Sequence, residues 1–240
     1  MDVAWEEFGW ERLGNGTGRR RLPVWDATAA LVAGPDAALL YDTGSSLREG
    51  VALRTEVEGL LGRRVTHIAL SHPHFDHVLG TAAFAGAEVY GAVGTAALLE
   101  RGAGELRADA VRHGMSEADA TAATDALVAP RHQVSGEWTL DLGGGLQVLL
   151  ANVGPGHSGH DLAVLVPGSP VVVLCGDLVE ESGEPQAGPD AVPSHWPAAL
   201  DRLLELGGED ALYVPGHGAV VNAAFVRAQR DQLEARFGVS

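Results

Sequence analysis

The sequence predicts a layered α/β domain, and three observations carry that prediction. Apolar runs of strand length alternate with segments of helical spacing over most of the chain. The alternation falls into two halves with no Ser/Gly-rich linker between them, and no repeat of about 20–50 residues marks a solenoid or propeller. At 240 residues and 46% hydrophobic composition the chain is long enough for one well-buried domain, so residues 1–240 are expected to form a single unit.

The elements follow in order. Residues 24–33 and 37–42 are apolar runs joined by Gly34-Pro35-Asp36, a hairpin signature, and the second run ends in Asp42-Thr43-Gly44-Ser45. Residues 51–61 have helical spacing, with Gly62 as the stop. Residues 65–70 form a strand, 81–85 a short helix and 87–90 a strand. Residues 95–101 and 116–128 are helical; Ser116 is the N-cap of the second, with Asp119 at its third helical position. Residues 146–152, 162–166 and 171–175 are strands. Pro197 opens a helix through residue 206, because proline is tolerated in a first turn. Residues 211–214 are the last strand and 223–236 a terminal helix. The helical stretch from about 91 to 135 lies between the halves and is, by position, the cover over a site mouth. Trp5, Phe8 and Trp10 are expected to pack an N-terminal strand.

Composition narrows the function. The net charge is −16, from 32 acidic and 16 basic residues, and every basic residue is Arg. A nucleic-acid partner is not expected, since phosphate binding needs a basic stripe. Chemistry that depends on lysine, Schiff bases included, is excluded. No apolar run approaches the roughly 20 residues that span a bilayer. Residues 1–10 lack a basic start and an apolar stretch, and Asp26 interrupts the segment after Arg19-Arg20-Arg21, so neither a Sec-type nor a twin-arginine signal is expected. The single Cys175 excludes an internal disulfide and fits a reducing compartment, the cytoplasm.

The chemistry is concentrated in His72-Pro73-His74-Phe75-Asp76-His77. Three imidazoles and a carboxylate follow the apolar run Ile68-Ala69-Leu70 directly. A helix would spread such neighbours over different faces, whereas a loop at a strand end turns them toward one point. Imidazole and carboxylate without a nearby thiolate suit zinc, and less specifically iron or manganese. Three later segments end a strand with glycine and a metal-competent side chain: Gly154-Pro155-Gly156-His157, Cys175-Gly176-Asp177 and Pro215-Gly216-His217. Singly, each residue has an ordinary reading as a loop histidine or a turn cap. Together with the first cluster they read as one site.

The pattern His72-x-His74-x-Asp76-His77, then His157, Asp177 and His217, resembles the metallo-β-lactamase-fold superfamily over residues 29–218. The resemblance implies an αββα sandwich with metals at one edge between the sheets. It implies two zinc ions per chain, one held by His72, His74 and His157, the other by Asp76, His77 and His217, with Asp177 bridging. Asp42-Thr43-Gly44 resembles the family's strand end behind the metals. Two ions roughly 3.5–4 Å apart share one hydroxide, because their charge lowers the pKa of water toward neutrality. The expected reaction is attack of that hydroxide on an ester, thioester, lactone or lactam of a small molecule. Asp76 is then the catalytic carboxylate that orients the nucleophile or passes its proton to the leaving group.

The neighbouring residues bear on substrate. Glu180 stands three residues after the bridging carboxylate, where related lactamases carry a lysine and acyl-homoserine lactonases a tyrosine. Glu180 offers neither, which disfavours an anionic β-lactam and favours a neutral or cationic substrate. Trp25, His160 and Trp196 are the other candidates to face substrate, with a surface role for His160 and an anchoring role for Trp196 as the alternatives. His67 is expected to be packed or edge-exposed, His113, His132 and His195 to be surface or cover residues, and Cys175 to be a small core residue. Only one helix follows His217, unlike glyoxalase-II-type thioesterases, and the acidic balance argues against ribonuclease-type relatives. An iron-dependent oxidoreductase resembling persulfide dioxygenases is the first alternative, a true β-lactamase or a non-catalytic binding protein the second. The oligomeric state is not legible in the sequence.

Overall fold

The computed structural model describes residues 3–14 and 16–238, so the first two residues of the N-terminal signal reading lie outside it. Strands β1 (Glu11–Gly14), β2 (Thr17–Arg21), β3 (Thr28–Ala33), β4 (Ala38–Tyr41), β5 (His67–Ala69), β6 (Glu88–Ala92) and β7 (His132–Val134) form one sheet, adjacent in that order. Strands β8 (Glu137–Asp141), β9 (Gln147–Asn152), β10 (Leu162–Val166), β11 (Val172–Glu180) and β12 (Leu212–His217) form a second, ordered β12-β11-β10-β9-β8. The helices are α1 (Leu47–Leu61), α2 (Phe75–Val78), α3 (Thr95–Arg112), α4 (Glu117–Asp125), α5 (Trp196–Gly207) and α6 (Ala223–Phe237).

The apolar runs of β3, β4 and the first part of β11, Val172 to Cys175, are explained by burial on both faces. Side chains alternate across a strand. Ala30, Val32, Leu39 and Tyr41 therefore point inward to meet Leu150, Val164 and Leu174 of the second sheet. Leu31, Leu40 and Ile68 point outward and pack on Leu53, Val57 and Leu99 of α1 and α3. On the far side, Val173, Cys175 and Tyr213 pack on Leu200 and Leu203 of α5 and Val226 and Leu233 of α6. Helix, sheet, sheet and helix thus form the four layers of an αββα sandwich. No helix among the described residues is long and apolar enough to cross a membrane.

The structure extends the sequence-predicted elements at several points. Helix α1 begins at Leu47 rather than 51, because the Ser46 hydroxyl accepts from the Glu49 backbone N–H at 3.2 Å while the Glu49 carboxylate accepts from Ser45 N at 2.7 Å. Helix α3 continues to Arg112, through Gly102 and Gly104. The 24–33 strand begins only at Thr28, since Asp26 adopts a left-handed φ of 58° in a turn closed by its ion pair with Arg21. The Ser116 cap forms as expected, accepting from Asp119 N at 3.1 Å. Trp5 lies against Gly18 of β2, where any Cβ would meet its ring at 2.4 Å.

Two topological features place the site. β4 and β5 run parallel, as do β11 and β12, so their C-terminal ends gather along one edge of the sandwich. The sheets are tied together at that edge: Leu162 N donates to Ser71 O at 2.7 Å, and the Tyr41 hydroxyl donates to Leu162 O at 2.8 Å.

Candidate metal centre

The seven predicted ligands converge. His72 and His74 come from the loop after β5, and Asp76 and His77 from α2, one short helical turn within what the sequence suggested was wholly loop. His157 comes from the β9–β10 loop, Asp177 from within β11 at the irregular pairing after Gly176, and His217 from the end of β12. Donor atoms of His72, His74 and His157 lie within 4.8 Å of one another, as do those of Asp76, His77 and His217. Asp177 reaches both triads: its Oδ2 is 3.7 Å from His72 Nε2, 3.6 Å from His157 Nε2 and 3.3 Å from His217 Nε2, and its Oδ1 is 3.2 Å from His77 Nε2. Gly216 permits this approach, since a Cβ there would sit 1.8 Å from Asp177 Oδ1.

Each imidazole is held by its other nitrogen. His77 Nδ1 donates to Asp42 Oδ2 at 2.8 Å, and Asp42 Oδ1 accepts from Ser71 N at 2.8 Å. Asp42 is buried at the end of β4 in a left-handed conformation, φ 61°, which aims its carboxylate under the site. Ser71 Oγ lies 2.8 Å from His72 Nδ1. His157 Nδ1 donates to Gln186 O and His217 Nδ1 to Trp25 O, each at 3.0 Å. These contacts leave Nε2 of His72, His77, His157 and His217 turned inward. His74 is reversed: its Nε2 donates to Asp190 Oδ2 at 2.9 Å and leaves Nδ1 for the site.

Electrostatics divides the imidazoles. Burial holds His72 well below the usual range, and it takes His157 down to about 4 against the pull of Asp177. Burial works the same way on His77 and His217, but Asp177 and Asp76 outweigh it, keeping His77 well above its ordinary value and His217 at about 11. Burial would raise Asp177, yet His77 and His217 hold it well below the carboxylate range. Two carboxylates held anionic thus face two imidazoles held protonated, so cations that bind at the floor compete with protons.

The residues fit metal ions. His72 Nε2, His77 Nε2 and Asp177 Oδ1 are buried with no hydrogen-bond partner, a loss of about 1–3 kcal/mol for each group left so. His74 Nδ1 and His157 Nε2 face each other at 3.0 Å, although each ring already donates from its other nitrogen. Two nitrogens at that distance must share either a proton or a metal ion, and a metal ion would take both lone pairs. Five imidazoles and two carboxylates without sulfur are a donor set for zinc, iron or manganese.

The cluster forms the floor of a cleft of about 1100 Å³. One wall is α3 with Trp25 and Phe75; the other is the segment 182–190. Trp25 and Glu180 line the cleft, as the sequence suggested. Trp196 and His160 do not. The Trp196 ring is fully buried beneath His157, with its Nε1 donating to Leu178 O at 3.0 Å, so it supports the His157 loop from behind. His160 is bound to the β6–α3 corner, Nδ1 to Val93 O at 2.9 Å, with its ring against Gly94. Within the expected cover, only α3 with His113 reaches the cleft, while α4 packs toward α1 and β7 joins the sheet edge. His113 stacks on Phe75 at 5.5 Å, and His132 stacks on Tyr90 at 4.5 Å away from the cleft.

Several positioning residues escaped the sequence reading. Asp190 sits in a Pro/Gly-rich loop 116 residues from its partner His74, with no local signal. Asp161 shapes the His157 loop by accepting from Gly156 N at 2.9 Å and the Ser158 hydroxyl at 2.7 Å. Arg19, buried on β2, donates to Gly218 O at 2.8 Å and holds the turn after His217.

Comparison with known proteins agrees with this architecture. The family model of the metallo-beta-lactamase superfamily matches residues 22–217. Metallo-beta-lactamase domain-containing protein 1 from Xenopus laevis is 27% identical over 195 residues, which cover 80% of this chain and 71% of that protein. The solved metallo-beta-lactamase from Pontibacter korlensis superposes with a TM-score of 0.73 at 20% identity, over 94% of this chain and 98% of that one. The metallo-beta-lactamase FIM-1 from Pseudomonas aeruginosa, in its mono-zinc form, gives 0.68 at 19% identity over 95% of each chain. At these identities the two structures speak for the fold alone.

Proposed function

This chain belongs to the metallo-beta-lactamase superfamily, and from that premise we propose that it is a zinc-dependent hydrolase of an ester, thioester, lactone or lactam bond in a small molecule. The carrying observation is the cleft floor, where the inward-turned Nε2 of His72 and of His77 and Oδ1 of Asp177 lack hydrogen-bond partners. His72, His74 and His157 would hold one ion and Asp76, His77 and His217 the other, with Asp177 between them. When bound, such ions lower the pKa of water toward neutrality and polarise the scissile carbonyl. Zinc is favoured among divalent metals by the imidazole-rich donor set.

The chain's own residues supply the rest. Asp76 lines the cleft with its Oδ2 3.3 Å from His217 Nε2, and it is the group placed to accept a proton from attacking water and return it to the leaving group. Asp42 and Asp190 fix the rings of His77 and His74 so that their donor atoms need not reorganise during turnover. Cys175 is buried in the core, with its thiol pushed far up by burial, and is no nucleophile. A cytoplasmic location, and a small molecule rather than a nucleic acid as partner, belong to the same proposal and rest on the lone cysteine and the charge of −16.

The test is a panel of esters, thioesters, lactones and lactams offered to protein whose metal content has been measured. About two zinc ions per chain and turnover of one class are expected. About one iron and no zinc per chain, or no turnover by fully loaded protein, would overturn the reading.

A further inference from the structure

We propose that Glu180 and the aromatic wall of the cleft select substrates in which a positively charged ammonium group accompanies an apolar part, and turn anionic substrates away. This inference rests on the hydrolase reading above and names its substrate class.

Glu180 is fixed by backbone. It ends β11 opposite His217 in the parallel β11–β12 pairing, and its N–H donates to Gln229 Oε1 at 3.0 Å. Its side chain is only 7% exposed, yet it lines the cleft. Ser182 donates to Oε1 from both its N–H and its hydroxyl, while Oε2 accepts no hydrogen bond among the described residues. A largely buried carboxylate with a free oxygen is costly unless something pairs with it; its donor oxygen lies within 4.8 Å of those of Asp177 and His217, and the His217 imidazole is shared with Asp177 and Asp76. No Lys or Arg among the described residues serves Glu180: the only one lining the cleft is Arg112, and it is bound to Asp109 at 2.6 Å.

Metal ions at the floor do not reverse this balance. Asp76 and Asp177 offset much of their charge. Glu105, Asp109, Glu180, Glu184 and Asp190 remain on the walls, against Arg112 alone. The opposite wall adds a second feature suited to cations. The Trp25 and Phe75 rings meet edge to face at 5.2 Å, and His113 stacks on Phe75. Aromatic faces attract ammonium groups, most strongly where water is excluded. Leu98, 40% exposed, and Leu106 continue that wall and offer contact to an apolar acyl chain.

The experiment uses zinc-loaded protein and three esters of one acyl group, with a trimethylammonium alcohol, its neutral tert-butyl isostere and a sulfonate alcohol. The expected kcat/KM falls in that order, with about tenfold between the cationic and neutral members, narrowing as salt is raised. Glu180→Gln keeps the shape and an acceptor for Ser182, and is expected to cut the cation-to-neutral ratio to within about threefold. Calorimetry with choline and 3,3-dimethylbutanol reads the same preference without turnover. Equal kcat/KM across the wild-type series overturns the proposal, as does an unchanged ratio in Glu180→Gln. Loss of bound zinc in that variant does so too, since Glu180 would then be a ligand. If no ester is turned over, the hydrolase reading is decided by the panel of thioesters, lactones and lactams, and the choline preference in the wild type alone decides this inference: tighter binding of choline upholds it, equal or absent binding overturns it.

Discussion

The floor and the walls of the cleft are built in opposite ways. The floor is assembled from the ends of β4, β5 and β12, from within β11 and from the β9–β10 loop, and every imidazole in it is fixed through its second nitrogen. Its geometry is set by sheet register, which cannot shift by one residue without turning a whole strand's side chains to the other face. The walls are one helix, α3, and the segment 182–190, which contains neither helix nor strand. Several of their residues are exposed, Leu98 and Asp190 among them. Under the proposed function, bond cleavage falls to the rigid part, and choice of substrate is shared between the walls and Glu180, which the rigid β11 carries.

The sharpest way to break that division is at the floor. His74→Ala and Asp76→Asn should each reduce kcat/KM by about a thousandfold or more, because one removes a donor and the other the proton-handling carboxylate. The far-UV circular dichroism of both variants should remain that of the wild type, since neither side chain belongs to an apolar cluster. Retention of more than about a tenth of wild-type turnover in either variant would remove these residues from the chemistry.

A smaller effect tests where wall and floor touch. The 182–190 segment reaches the floor through Asp190 on His74 Nε2 and the Gln186 carbonyl on His157 Nδ1. Asp190→Asn keeps the shape but weakens the hold on the imidazole. Zinc affinity, measured by chelator competition, should fall about 10–100-fold, as for other partners that orient a ligand ring. An affinity within about twofold of wild type would show the floor to be independent of this wall, which sharpens the contrast.

The two regions also differed in how far the sequence revealed them. The floor was legible because its residues are chemically unusual and locally punctuated: His72 to His77 are contiguous, and His157, Asp177 and His217 each follow a glycine. The sandwich was legible in the doubly buried runs of β3, β4 and β11. The walls were not. Asp190, Ser182 and Gln186 lie in a polar, Pro/Gly-rich stretch with no periodicity, and their roles come from contacts made far along the chain. Strands β1, β2, β7 and β8 escaped notice because they are short or charged, Thr17–Arg21 carrying three arginines and Glu137–Asp141 only one buried residue. For Trp196, beside a proline-opened helix, the sequence left an anchoring role and a place on the rim both open; it anchors, closing the core behind His157.

The smallest predicted effect lies in α3, where glycine hid part of a wall from the sequence reading. Gly102 and Gly104 interrupt the helical pattern after Arg101, but the helix continues through both. A Cβ at Gly104 would meet nothing within 4 Å, and Gly104, unlike Gly102, does not line the cleft. Glycine in a helix interior leaves the unfolded chain more freedom than alanine does, so Gly104→Ala should stabilise the protein by about 0.5–1 kcal/mol in urea unfolding. The same variant asks whether the wall acts through its shape or its looseness. If shape alone matters, kcat/KM should stay within about twofold of wild type while stability rises. A larger drop with intact zinc content would mean that α3 must flex to admit substrate, and the contrast between a rigid floor and passive walls would give way to one between a rigid floor and a moving gate.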